Sequence, residues 1–120
     1  GHIAFNDPHE ADFDDPALVK RVSLDEKCRM QQVHDGCFAA IDDVPTHALT
    51  LTVPALMNAE YHFCIVPAAT KAEAVYRTVC GDIGAHCPAT ALRLCPNAAL
   101  YVDMDSGAQL RGFKHGGSAR

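Results

Sequence analysis

Residues 61–66, Tyr-His-Phe-Cys-Ile-Val, limit the fold more than any other stretch of this chain. The run is short and almost uniformly apolar, the pattern of a strand covered on both faces. Pro67-Ala68-Ala69-Thr70 then turns the chain. Ala72, Val75, Tyr76 and Val79 recur at i, i+3, i+4 and i+7, which gives the following helix one buried apolar face. Gly81 stands where that helix can end, a further short helix is expected over 88–94, and a last strand over 98–102. Alternating strands and helices read as βαβ units, so the fold class is α/β with a parallel sheet.

The earlier half fits the same scheme. Residues 19–24 alternate apolar and polar side chains as a strand does, and Asp25 is placed to cap a helix over 28–33 that Asp35-Gly36 ends. Asp42-Asp43-Val44-Pro45 marks a turn, 48–53 reads as a strand, and Pro54 opens a short helix through 59. Asp12-Phe13-Asp14-Asp15-Pro16 is expected as a surface loop. One domain over 1–105 is the expectation. From Ser106 the sequence carries Gly107, Gly112, Gly116 and Gly117 with little apolar content beyond Leu110 and Phe113, so 106–120 is expected to be a flexible tail.

Composition excludes several classes of function. A net charge of −5, with no Lys/Arg cluster interleaved with aromatics, argues against a nucleic-acid partner. No apolar run approaches the roughly 18 residues of a membrane span, and no signal-like start is present. A cytoplasmic protein with no membrane partner is therefore expected. The six cysteines include no Cys-x-x-Cys pair. His86-Cys87, with Cys80 and Cys95 nearby, offers metal donors in a spacing unlike the familiar zinc patterns, so buried or incidental thiols are the favoured reading.

The chemistry-bearing stretch is the opening one, Gly1-His2-Ile3-Ala4-Phe5-Asn6-Asp7-Pro8. It sets a histidine five positions before a carboxylate. An imidazole beside an acid moves protons near neutral pH, because ordinary His titrates near pH ~6.5. No strand precedes this loop to hold it, which suggests part of something longer. Parallel α/β sheets bind ligands at the carboxyl ends of their strands, a rule that bears on the loop of Asp7 and on the turn before Lys71. Taken singly, these residues also have ordinary readings: a terminal His, a loop Asp before proline, and a solvated Lys.

The opening segment closely resembles the active-site segment of the glucosamine-6-phosphate deaminases (isomerases). The likeness continues through Asp43-Val44-Pro45-Thr46-His47-Ala48-Leu49-Thr50. It includes Cys64-Ile65-Val66-Pro67 through Lys71-Ala72-Glu73-Ala74-Val75, then Cys87-Pro88-Ala89-Thr90-Ala91-Leu92 with Pro96-Asn97-Ala98. It covers roughly residues 1–110 in order. The resemblance implies an α/β sandwich shared with phosphogluconolactonases and ribose-5-phosphate isomerases. Phe5-Asn6-Asp7-Pro8 favours the deaminase branch over the lactonase one.

The implied activity converts glucosamine 6-phosphate and water into fructose 6-phosphate and ammonia, with no metal or organic cofactor. His2 falls on the position that opens the sugar ring and Asp7 on that of its acidic partner, where the family often carries the longer Glu. Gly1 and Lys71 fall on substrate-binding positions, Lys71 facing the sugar phosphate. The helix segment Cys28-Arg29-Met30-Gln31-Gln32-Val33-His34 departs from the family pattern: His34 is nearest to the phosphate-binding arginine without matching it, and Arg29 is read as structural. The family's base for C2 and its small-residue phosphate loop have no counterpart in this sequence. The chain is accordingly read as the C-terminal half of such a protein, inactive by itself. Two other readings stay open, a non-catalytic sugar-phosphate binding module and an enzyme for another hexosamine 6-phosphate. Association with further copies of the chain is also left open.

Overall fold

The computed structural model describes residues 1–110. Its elements in order are strand β1 (Val19–Ser23), helix α1 (Glu26–His34), strand β2 (His47–Leu51), helix α2 (Val53–Met57), strand β3 (His62–Val66), helix α3 (Ala72–Cys80) and strand β4 (Ala98–Val102). Single 3-10 segments lie at Ile41–Asp43, Ala69–Lys71 and Pro88–Leu94, the last in place of the expected α-helix over 88–94. The fold is α/β, and β3 and β4 form a parallel pair with α3 in the crossover between them.

The expectation of a parallel sheet holds for that pair and not for the first two strands. β1 and β2 pair antiparallel in a separate two-stranded sheet, with Val22 opposite Ala48 and Lys20 opposite Thr50. α1 begins as anticipated: Asp25 accepts a hydrogen bond from the Cys28 amide at 2.7 Å, satisfying one of the first-turn donors. Arg29 is structural, as read, though it works inside the fold. Its guanidinium donates to the carbonyls of Ile41 and Val44, both at 3.0 Å, and so holds the 3-10 turn against α1.

α2 starts at Val53, one residue before Pro54, because Thr52 caps it. Thr52 is fully buried; its hydroxyl accepts from the Ala55 amide at 3.3 Å and donates to the Ala17 carbonyl at 2.7 Å. One side chain thus fixes a helix start and the lead-in to β1. Val22, Leu24, Val44 and Val53 are buried in the first half of the chain, and Val75, Cys87, Ala91 and Leu92 in the second, where α3 packs on the 3-10 segment Pro88–Leu94.

Two burial expectations are corrected. β3 is not covered on both faces: Phe63 is 70% and Ile65 73% exposed, and their register neighbour Tyr101 is exposed as well. No described element lies over that face. On α3, Val75 is buried as expected but Tyr76 is exposed, and the buried companion is Thr78, whose hydroxyl donates to the Ala74 carbonyl at 2.7 Å. A threonine that satisfies its own hydroxyl along the helix sits on an apolar face without a penalty.

The expected loose segment from Ser106 also differs at its start. Ser106 is fully buried, donating from its hydroxyl to the Val66 carbonyl at 2.6 Å and from its amide to Asp103 at 2.7 Å. The packed unit therefore extends past residue 105; Gly112, Phe113, Gly116 and Gly117 lie outside the described residues.

Thr52→Val keeps the shape of the side chain and removes both of its hydrogen bonds. It is expected to cost about 2 kcal/mol, by loss of a cap and an unmet buried carbonyl at Ala17. Urea unfolding followed by circular dichroism measures this, and a change within about 0.5 kcal/mol, the ordinary range for a surface substitution, contradicts the assigned role.

Candidate active site

The opening loop is held by a set of hydrogen bonds. Asn6, fully buried, donates from its side-chain amide to the carbonyls of Ile3 at 3.0 Å and Leu51 at 2.8 Å. Its backbone amide closes the same turn onto Ile3, and Phe5 donates from its amide to the Thr50 hydroxyl at 3.2 Å. The turn is tight enough to place Ala4 at φ 51°, a left-handed conformation costing an alanine about 1 kcal/mol or more. These bonds clip the loop to the end of β2 and leave His2 on one side of the turn and Asp7 on the other.

Gly1 approaches the segment before the last 3-10 turn closely. Its carbonyl accepts from the Ala89 amide at 2.8 Å, and a Cβ on Gly1 would collide with the Cys87 sulfur. Only glycine fits there.

The result is a cleft of about 560 Å³ whose walls include Gly1, His2, Asp7 and Lys71 together. His2 Nδ1 stands 3.8 Å from Asp7 Oδ1, a charge-pair distance rather than a hydrogen bond. Asp7 is buried and its Oδ2 has no hydrogen-bond partner among the described residues. Burial pulls the His2 pKa below its usual value, against the opposing attraction of Asp7. Burial also pushes the Asp7 pKa up, with His2 opposing. Each partner thus favours the neutral form more than it would in water, and desolvation outweighs the pairing.

Lys71 reaches the cleft from the other side. It ends the 3-10 turn Ala69–Lys71 and occupies the N-cap of α3, where no side chain caps the helix. It makes no ion pair with a described residue, whereas Arg77, also on the cleft wall, is tied to Glu73 at 2.7 Å. Its turn is anchored at a distance: Asp103 accepts from the Ala68 amide at 2.9 Å, across the left-handed Ala68 at φ 83°. Backbone donors from Ser106 and Ala68 hold the Asp103 carboxyl below its ordinary range.

Sequence reasoning did not find Asn6, Asp103 or Ser106, nor Arg77, His86 and Cys28 as wall residues of the cleft. His34 is exposed and is not part of the wall. The cysteines are unpaired; Cys87 is buried, and among the described residues the His86–Cys87 neighbourhood forms no cation-sized cluster. No described helix is long and apolar enough to cross a membrane.

No protein-family model matches the chain. Individual proteins do. A glucosamine-6-phosphate deaminase of Bacillus cereus (strain G9842) is 36% identical over 106 residues, which are 88% of this chain and 38% of the relative. That of Bifidobacterium longum (strain DJO10A) is 32% identical over 92% of this chain and 40% of its own length. Among solved structures, a monomeric glucosamine-6-phosphate deaminase described as a missing link of the NagB superfamily superposes with a TM-score of 0.79. It is 28% identical, with 87% of this chain and 41% of that one covered. The chain thus spans about two-fifths of the length of these relatives. In sequence and fold the chain is thus similar to the glucosamine-6-phosphate deaminases over a part of their length.

Proposed function

We propose that this chain carries the ring-opening and phosphate-holding part of a glucosamine-6-phosphate deaminase site, in the breakdown of amino sugars. The observation that carries the reading is the convergence of Gly1, His2, Asp7 and Lys71 on one cleft. Glucosamine 6-phosphate arrives as a closed pyranose. Opening it takes a proton from the C1 hydroxyl and delivers one to the ring oxygen, which one imidazole does by accepting and then donating. A His2 held neutral near pH 7 is ready to accept first. Asp7 then stabilises the imidazolium that forms, at 3.8 Å before the ligand draws the pair together.

Lys71, without an acid to neutralise it, supplies the charge for the phosphate at the start of α3. His2 and Lys71 both line this cleft, so the reactive carbon and the phosphate of one ligand are assigned to different residues. Proton abstraction at C2 and release of ammonia need a base that these residues do not supply. The isolated 120-residue chain is therefore proposed to bind the sugar phosphate without turning it over.

A chimaera tests this. Residues 1–110 are placed in the matching segment of the Bacillus cereus relative, and ammonia release from glucosamine 6-phosphate is followed. Activity is expected, with His2→Asn lowering kcat by roughly 100-fold to 10,000-fold, the range for a lost general acid–base group. Lys71→Ala is expected to act mainly through KM. A folded chimaera that binds fructose 6-phosphate but releases no ammonia points instead to a binding module.

The electrostatics give a second test. In the window between the ordinary value of 6.5 and the lower folded value, the unfolded chain holds a proton on His2 that the folded chain does not. Stability therefore falls as pH drops through that window. NMR titration of the His2 ring is expected to give a midpoint below 6.5, and Asp7→Asn to move it lower still. A rise in Asp7→Asn would show that Asp7 does not pair with His2.

A further inference from the structure

One ring nitrogen of His9 and one carboxylate oxygen each from Asp7 and Asp25 lie within 4.8 Å of one another. We propose that these residues bind a first-row divalent cation, Zn2+ being the best-suited probe, and that occupancy takes Asp7 away from His2. Clustered acids alone carry little meaning, since exposed ones gather without a ligand. The buried member of this group changes the case. Asp7 is 6% exposed, and its Oδ2 is sealed from solvent with no hydrogen-bond partner among the described residues. A desolvated carboxylate oxygen left in that state is costly, and His2 does not relieve it, standing 3.8 Å from the other oxygen. A cation is the partner that oxygen lacks.

The two exposed members are already oriented. His9 Nε2 is 3.0 Å from the Ser23 carbonyl oxygen, an atom that only accepts, so that nitrogen carries the proton and Nδ1 keeps its unshared pair. An imidazole whose far N–H is held by a backbone carbonyl is the usual arrangement behind a metal-ligating histidine. Asp25 is fixed by capping α1 through Oδ1, which leaves Oδ2 for the ion. Asp7 is buried, while His9 and Asp25 are exposed.

One nitrogen and two carboxylate oxygens suit Zn2+ and its neighbours better than Mg2+, which favours all-oxygen, near-octahedral sites. Zinc bonds of about 2.0–2.2 Å require the donors to draw closer than they stand, through small rotations of the exposed side chains. The Asp7 carboxylate would then face a dication. An ion held there competes with His2 for the same carboxylate.

The site is tested on the 120-residue chain titrated calorimetrically with Zn2+ alone. One ion per molecule is expected, unaffected by excess Mg2+. His9→Gln and Asp25→Asn, the latter retaining the helix cap, are each expected to weaken binding tenfold or more with unchanged circular dichroism. Binding as tight in both variants as in the parent would assign the ion to the cysteines and overturn the proposal. So would the absence of binding at millimolar Zn2+.

Discussion

The arrangement of this site depends on one buried amide. Asn6 spends both of its side-chain donors on backbone carbonyls, one inside its own turn and one at the end of β2. The first bond shapes the loop and the second fixes where the loop sits. The bond to Leu51 acts with the Phe5–Thr50 and Gly1–Ala89 bonds to fix where His2 and Asp7 stand. The left-handed Ala4 is tolerated for the same reason: the hydrogen bonds around it, each worth about 0.5–1.5 kcal/mol net, jointly exceed its conformational cost.

A second anchor answers the first from the other side of the cleft. Asp103 and Ser106 follow β4 and reach back to Ala68 and Val66, the residues that lead from β3 into the Lys71 turn. Parallel pairing makes this possible, because it puts the carboxyl ends of β3 and β4 side by side. The loops leaving both strands then meet at one end of the sheet. The cleft is thus braced by side-chain to backbone bonds on both walls.

The division between what could and could not be read from the sequence follows from these bonds. Strands and helices were legible because their signals are local: alternation over 19–24, the 3.6-residue period beyond Lys71, and Asp25 before α1. His2, Asp7 and Lys71 were legible as candidate residues through resemblance. The anchors were not. Asn6 to Leu51 spans 45 positions and Ser106 to Val66 spans 40, and no period or motif announces such a contact. Thr78 was missed because hydropathy scores a threonine as polar regardless of whether its hydroxyl is already satisfied by the helix.

The bare face of β3 is a different kind of discrepancy. Phe63 and Ile65 follow a pattern that fits a strand with layers on both sides, and a fully buried side chain of that size contributes about 1.5–3 kcal/mol. Here both side chains lie open to solvent. The described residues form one two-stranded parallel sheet, and such pairs have little independent stability. The relatives are more than twice the length of the matched segment. Local pattern and observed burial therefore disagree at the face where a larger α/β domain would continue its layers. The cleft stands up to this deficit because its anchors, from Asn6 and Ser106, run between loops and strand ends and do not pass through the uncovered face.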